Sequence, residues 1–398
     1  MPLPTDALEE WRYSRIDDLD LSRFAPVGAS GQISPAPLAV VEGLVAALGT
    51  GITLVETHDG HVAGLHAADR SVTVERLSAP DASAIELGAQ PDDPDAFAVL
   101  NRAFAPSPLR IRVAKGSVAK PVVIVHRIDA LDGAVFPRIL VEVEELAEAS
   151  VLEVVAGPGG ALVVPVTELE VSAGAHLSYL QVQLLASDAW QIGLQTSRVG
   201  RDASLVSAAV AIGGDYARLR TDSALTAPGA ESRLLALYFA ADHQMHDFRT
   251  VQHHAAPKTR SELLYKGVVA NSARSVYSGL IRVEKGARGT NAMQTNRNLV
   301  LHDGAHADSV PNLEIEDNDV RCSHASAVGP IDEDEHFYLE SRGVPPEVAD
   351  RLIALGFLDE VLEHLPFPAL ADGLRAVLAG KLNAADTAEA AARTDRVA

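Results

Sequence analysis

The sequence predicts a mainly β protein, a parallel β-helix with helical regions at both ends, and three observations carry that reading. The segment APGAESRLL at 227–235 returns as APKTRSELL at 256–264, 29 residues later. Small-residue corners recur at Ala149, Ala175, Ala203 and Ala230, in steps of 26, 28 and 27, and Ala287 follows after about two more steps. Each period also holds two β-rich runs split by a polar corner, as at 233–240 and 246–253. A fixed period of this size is the signature of stacked repeats.

Two strands of about eight residues, at about 3.3 Å each, give a flattened coil roughly 30 Å wide. Coils stack at about 4.8 Å, so about eight of them make a body roughly 40 Å long. Within 177–184, Leu177, Tyr179, Gln181 and Gln183 fall on one face and Ser178, Leu180, Val182 and Leu184 on the other. An antiparallel sandwich with coincidental spacing is the competing fold.

The chain divides as follows. Residues 1–107 read as a small, mainly helical domain: helix-compatible text at 5–13, breaks at Pro26, Gly28, Gly31, Pro35 and Pro37, then helices at 38–48 and 96–103 after Pro94. Residues 108–330 read as the β-helix core, with β-branched runs at 121–128, 138–143 and 151–156. Residues 331–382 read as a C-terminal helical domain. Asp332 and Glu335 form a capping-box pattern, Gly343 stops the first helix, and Pro345-Pro346 restarts the next. Residues 383–398 read as a disordered tail.

Composition narrows the function. With 33 Lys and Arg against 54 Asp and Glu, the formal charge is −21, which offers no bulk attraction to nucleic acid or an anionic membrane. The chain has no apolar run of eighteen residues and no signal-peptide core at its start, and its one cysteine cannot form an internal disulfide. These features favour a cytoplasmic protein.

Chemical motifs are sparse. No phosphate loop, HExxH, GxSxG, CxxC or EF-hand spacing occurs. Gly157-Pro158-Gly159-Gly160 reads as a turn before it reads as a phosphate cradle. The acidic residues Glu314, Glu316, Asp317 and Asp319, and the run from Asp332 to Glu335, read as solvated turns and a helix N-terminus. His243, His246, His253 and His254 crowd one repeat, where hydrogen bonding between strands competes with metal ligation. If successive coils stack, His302 or His306 approaches Cys322 and His324, a donor set suited to zinc or iron. Spacing alone favours Cys322 as a small buried hydrophobe. Acidic turns without an aromatic platform argue against a carbohydrate-cleaving β-helix enzyme.

Specific residues add a resemblance. The stretch 291–357 contains Gln294, Asn296, Asn298-Leu299, Pro311, Leu313-Glu314, Cys322-Ser323-His324, Phe337-Tyr338, Ser341-Arg342-Gly343 and Gly356-Phe357. Upstream lie Glu10-Trp11-Arg12-Tyr13, His246-Asp247, Thr250, His254, Ser261, Lys266-Gly267 and Tyr277-Ser278-Gly279. Together these resemble the SufB/SufD family of iron–sulfur cluster assembly proteins over essentially the whole chain. Ala305 stands where SufB-type chains keep a sulfur-handling cysteine, and Ala325 where they keep a glutamate, so the likeness is to SufD-type members. Those usually carry glycine at the position of Ala325.

The resemblance implies a right-handed parallel β-helix and a subunit without turnover of its own. It implies pairing with SufB through the end of the β-helix, and a homodimer when SufB is absent. It implies docking of SufC, an ABC-type ATPase, on the C-terminal helices; there Phe337, Tyr338, Phe357, Leu358 and Leu362 exceed what so small a bundle buries alone. A transient iron–sulfur cluster is expected at the SufB–SufD interface beside His324 and Cys322, with His324 as the metal ligand and no nucleotide on this chain. A plain scaffold without cluster contact is the alternative. Removal of 332–398 is expected to leave a folded β-helix that pairs with SufB but not SufC.

Overall fold

The computed structural model describes residues 3–28, 38–77 and 96–397. Its body is a β-solenoid of about eight turns. Two sheets face each other, and the chain alternates between them, one strand of each per coil. Parallel ladders run without interruption from Leu109–Val113 and Val122–Arg127 to His306–Ile315 and Arg321–Gly329. The antiparallel sandwich is excluded.

The corners explain the period. Leu146, Gly174, Asp202, Gly229, Lys258 and Gly289 all take left-handed backbone angles, with φ between 52° and 76°. Each precedes a small, buried residue: Ala147, Ala175, Ala203, Ala230, Thr259 and Thr290. The carbonyls of those six residues accept the amides of His176, Ser204, Glu231, Arg260, Asn291 and Arg321, which open the strands of the following coils. The expected corner at Ala149 is corrected to Ala147, because Ala149 lies inside the strand Glu148–Gly157 and pairs with Leu177. Spacing between registered residues widens from 28 (His176 on Glu148) to 31 (Asn291 on Arg260).

Both faces of the sheet containing His176–Leu185 are covered. Leu177, Tyr179, Gln181 and Gln183 point inward, and Leu180 and Val182 pack outward beneath helices. The helices are α1 (Ala39–Ala47), α2 (Ala96–Phe104), α3 (Glu333–Ser341), α4 (Pro346–Leu362) and α5 (Ala371–Val397). Leu358, Val361 and Leu362 of α4 and Leu374, Leu378 and Leu382 of α5 join Val154, Val182, Val210 and Leu237 of the sheet in one apolar cluster, with Val41 and Leu44 of α1. Lys266 of the sheet donates to the Phe357 carbonyl at 3.0 Å and pairs with Glu360. Removing 332–398 would therefore strip a continuous apolar face, which weighs against an intact β-helix after that deletion.

Two further expectations change. Within 1–107 the described residues hold strands beside the expected helices: Thr53–His58, His61–His66 and Val72–Arg76 extend the two sheets, the last two antiparallel to their neighbours. Their alternating text puts Val55 and Val72 into the solenoid core. Pro94 and the breaks at Gly31, Pro35 and Pro37 lie outside the described residues. The proposed disordered tail is instead the end of α5, because alanine-rich text favours helix and Ala385 is buried against the body.

The N-terminal segment crosses the outer face of the other sheet. The Trp11 ring lies 3.8 Å from the Arg218 guanidinium, which donates to the Glu10 carbonyl at 2.7 Å. Arg249 donates to the Arg12 carbonyl at 2.6 Å, and both arginines hold the buried Asp247. Glu10-Trp11-Arg12 and Asp247, far apart in sequence, are thus joined through Arg218 and Arg249.

Candidate functional site

His306–Ile315 and Arg321–Gly329 are the last strands of their sheets, so each is paired along one edge only. Nearly every residue of Arg321–Gly329 is exposed. A sheet end left open in this way presents unpaired backbone donors and acceptors to another chain. The two terminal strands meet through Ser326 and Ser309, whose hydroxyls lie 2.8 Å apart. Alternation then places Cys322, His324 and Ser326 on the same, inward face.

Cys322 is half-buried against Ile281, Val283, Ala287, Ala292, Leu313 and Val320. Burial pushes its thiol up, which keeps it protonated. Its surroundings match the small-hydrophobe reading. His324 is exposed and in register with Gln294, and its imidazole makes no hydrogen bond to another described residue. An imidazole presented in this way is available to a partner or a metal.

Beneath the mouth lies a polar interior. Gln294, wholly buried, accepts from the Tyr277 hydroxyl at 3.3 Å and donates to the Asn312 carbonyl at 3.4 Å. Tyr277 is also 3.1 Å from Thr250. Tyr238 donates to Asn298 at 2.6 Å, and Asn296 donates to Tyr238 at 3.1 Å and to the Tyr265 carbonyl at 3.2 Å. Burial pushes all three tyrosine hydroxyls well up, so they remain neutral donors. Two glycines make room: a Cβ on Gly267 would lie 1.8 Å from the Tyr238 ring, and one on Gly279 2.1 Å from the Tyr277 hydroxyl.

The histidines do not converge. His302 accepts the Asn271 amide at 2.8 Å, and His306 lies 3.2 Å from Asp308. Among the described residues, no group of three or more His, Cys, Asp or Glu side chains is placed to hold a metal. Any iron ligated by His324 needs its other ligands from elsewhere. His253 pairs with Glu284 at 2.7 Å, and His254 bridges Thr259 and Ser261. His246 donates to the Gly213 carbonyl at 3.1 Å; burial, then the charge of Lys381, push its pKa down to about 3. Hydrogen bonding within the solenoid accounts for these three. The Gly157–Gly160 segment is a packed turn, with the Gly159 amide donating to the Ile128 carbonyl at 3.2 Å. Asp317 likewise stabilises a turn through the amides of Gly286 and Asp319.

The five residues expected to face a partner divide. Leu358 and Leu362 are buried on the solenoid, and Phe357 lies beneath the Lys266 ammonium, 4.1 Å from its ring centre. The expectation that all five offer partner surface is corrected, because the β-body takes up most of α4. Phe337 and Tyr338 remain 69% and 56% exposed on α3, which buries no residue of its own. Asp332 caps α3 by accepting the amides of Asp334 and Glu335. A groove of about 440 Å³ between α3 and α4 is lined by Asp334, Glu335, Tyr338, Leu339 and Ile353. Val348 and Leu352 of α4 add exposed apolar surface. Sequence periodicity marked both as apolar but not as outward-facing.

Comparison with known proteins bears on the whole arrangement. Residues 126–357 match the family described as SUF system FeS cluster assembly, SufBD core domain. An iron–sulfur cluster assembly SufBD family protein of Mycobacterium bovis is 36% identical over 267 residues, covering 65% of this chain and 67% of the relative. The iron–sulfur cluster assembly protein SufD of Escherichia coli is 29% identical over 376 residues, covering 91% of this chain and 85% of the relative. SufD of Bacillus subtilis is 28% identical over 269 residues, covering 67% and 62%. The matched region contains the open mouth, its polar interior and the α3–α4 groove, and the chain belongs to the SufBD family of the iron–sulfur cluster assembly system.

Proposed function

We propose that this chain is a non-catalytic, SufD-type scaffold subunit that pairs through its open solenoid end with a SufB-type subunit. The observation that carries the reading is that open end: two edge strands, with an unpartnered His324 on the inward face. Backbone pairing supplies affinity there, and the exposed imidazole faces the joint. The nascent cluster is the cargo of that joint, with His324 giving one ligand and the partner the rest.

A SufC-type ATPase docks, in this reading, on α3 and the exposed side of α4, where Phe337, Tyr338, Val348 and Leu352 are exposed and an acid-rimmed groove opens at Tyr338. Large aromatic anchors of this kind dominate interface energetics. Among the described residues no helix is long and apolar enough to cross a membrane. A cytoplasmic location accords with the single cysteine.

The lack of a complete ligand set within the described residues favours one alternative, in which His324 only hydrogen-bonds across the joint. Anaerobic iron and sulfide analysis of the copurified complex separates the two. The ligand reading predicts that His324→Ala lowers cluster content several-fold while the subunits still copurify. Unchanged iron and sulfide would leave the plain scaffold.

A further inference from the structure

On the inward faces of the two terminal strands, a pair of serines joins the sheets. Ser309 is in register with the buried Tyr277 of its sheet, and Ser326 with the buried Asn296 of the other, so both serines point into the mouth. Ser326 donates its hydroxyl to Ser309 at 2.8 Å. His324 stands two residues before Ser326 on the same face, roughly 6.6 Å along the strand.

Counting hydrogens leaves one unspent. The Ser326 hydrogen lies in the bond to Ser309, and the Ser309 hydrogen has no acceptor among the described residues. The floor below is occupied with its own bonds: the Tyr277 hydroxyl lies against Thr250 and Gln294, and Asn296 Oδ1 accepts from Asn298. A hydroxyl that accepts one hydrogen bond becomes a stronger donor in the next. The neighbouring inward positions, Ala307, Pro311, Leu313, Cys322 and His324, carry no carboxylate to repel an anion.

We propose that Ser309 donates a hydrogen bond to a sulfide of the nascent cluster, held in line by Ser326 and facing the cargo from the wall opposite His324. The inference rests on the proposed function for the cargo's presence at the mouth; the donor and its brace belong to this chain. A bridging sulfide is an acceptor with no hydrogen of its own, and hydrogen bonds to cluster sulfurs help to set reduction potential. His324 then holds iron from one sheet while Ser309 holds sulfide from the other. Ser326 acts through Ser309 and is a positioning residue.

The test uses the full-length chain copurified with a SufB-type subunit and loaded anaerobically with ferrous iron and sulfide. Resonance Raman spectra in ordinary and heavy water read the donor directly, because a hydroxyl bonded to sulfide makes the iron–sulfide stretches sensitive to deuterium. Wild type should show that shift, Ser309→Ala should lose most of it, and Ser309→Thr should keep it. Ser326→Ala should retain a smaller shift, since the donor remains without its brace. Losing a hydrogen bond to a charged acceptor should also speed iron release to a chelator about tenfold in Ser309→Ala. A deuterium shift and a release rate unchanged by Ser309→Ala in a loaded complex would overturn the inference and leave the proposed function standing. Weaker pairing of Ser309→Ala with the subunit, at an unchanged spectrum, would also overturn it, by turning the hydroxyl toward the partner's backbone. A wild-type complex that holds no iron or sulfide removes the proposed function and the inference together.

Discussion

The first coils of the solenoid and the last coils enclose different interiors. In the first, Ile111, Val113, Val122, Ile124, Ile139, Val141, Val143 and Leu169 fill a dry core. One polar island interrupts it, where Glu153 accepts from Thr167 and Gln181 and lies 3.3 Å from His126. In the last coils the inward positions include Thr250, Gln252, His254, Ser261, Ser275, Gln294, Asn296 and Asn298, all buried, beside the apolar Phe248, Leu263, Ile281 and Val283. Apolar packing holds the first region by volume and tolerates similar shapes. The second is held by oriented hydrogen bonds that must be satisfied together. The polar half lies beneath the mouth, directly under Gln294, with which His324 is in register.

Removing 332–398 should have the largest effect, and it tests whether either half stands without its helical cover. Each large side chain uncovered costs about 1.5–3 kcal/mol, and a whole domain has only about 5–15 kcal/mol to lose. Truncated protein should be insoluble or melt far below the full chain. A soluble product with an unshifted thermal transition would show that the solenoid needs no cover.

Acid should distinguish the halves next. Burial first, and for His254 the neighbouring His253 second, push its pKa down from 6.5 to about 4, and His246 is pushed to about 3. Unfolding lets both take up a proton below their ordinary value. Stability is therefore full above about pH 6.5 and falls as pH drops toward 4, at about 1.4 kcal/mol per unit for each group. Exchange measured at pH 5 and corrected for intrinsic rate should loosen Met245–His254 before Arg138–Val143. Uniform loosening would break the comparison.

Point substitutions sharpen it further. Asn296→Leu, close in shape, leaves the Tyr238 hydroxyl and the Asn298 amide short of a partner and should cost about 1–3 kcal/mol in denaturant melts. Ile124→Val in the dry half should cost about 0.5–1.5 kcal/mol. Equal costs would mean that the two interiors are held alike. The smallest effect is expected for Cys322→Ser, under about 1 kcal/mol at a half-buried site. That variant should retain more assembly activity than His324→Ala, and the reverse order would make the thiol a participant.

The repeat was legible because strand pairing forces a near-constant period on the text. One corner was misplaced by two because Leu146 adopts a left-handed angle without the glycine that would announce it. Strands at 53–76 were missed because short alternating runs next to helices give little period to count. His324 and Cys322 stood out through the resemblance, and the structure gives them different surroundings: one exposed, one packed against an apolar cluster. Burial of Leu358 and Leu362 could not be read, since helical periodicity shows an apolar face but not what covers it.

The central claim is that the open end is the partner-facing surface. Hydrogen exchange of the full chain with and without a purified SufB-type subunit tests it directly. The amides of His306–Ile315 and Arg321–Gly329 should become strongly protected on mixing, while those of Val72–Arg76 at the opposite end stay unchanged. Protection that spares both terminal strands, in a complex shown to form, would contradict the account.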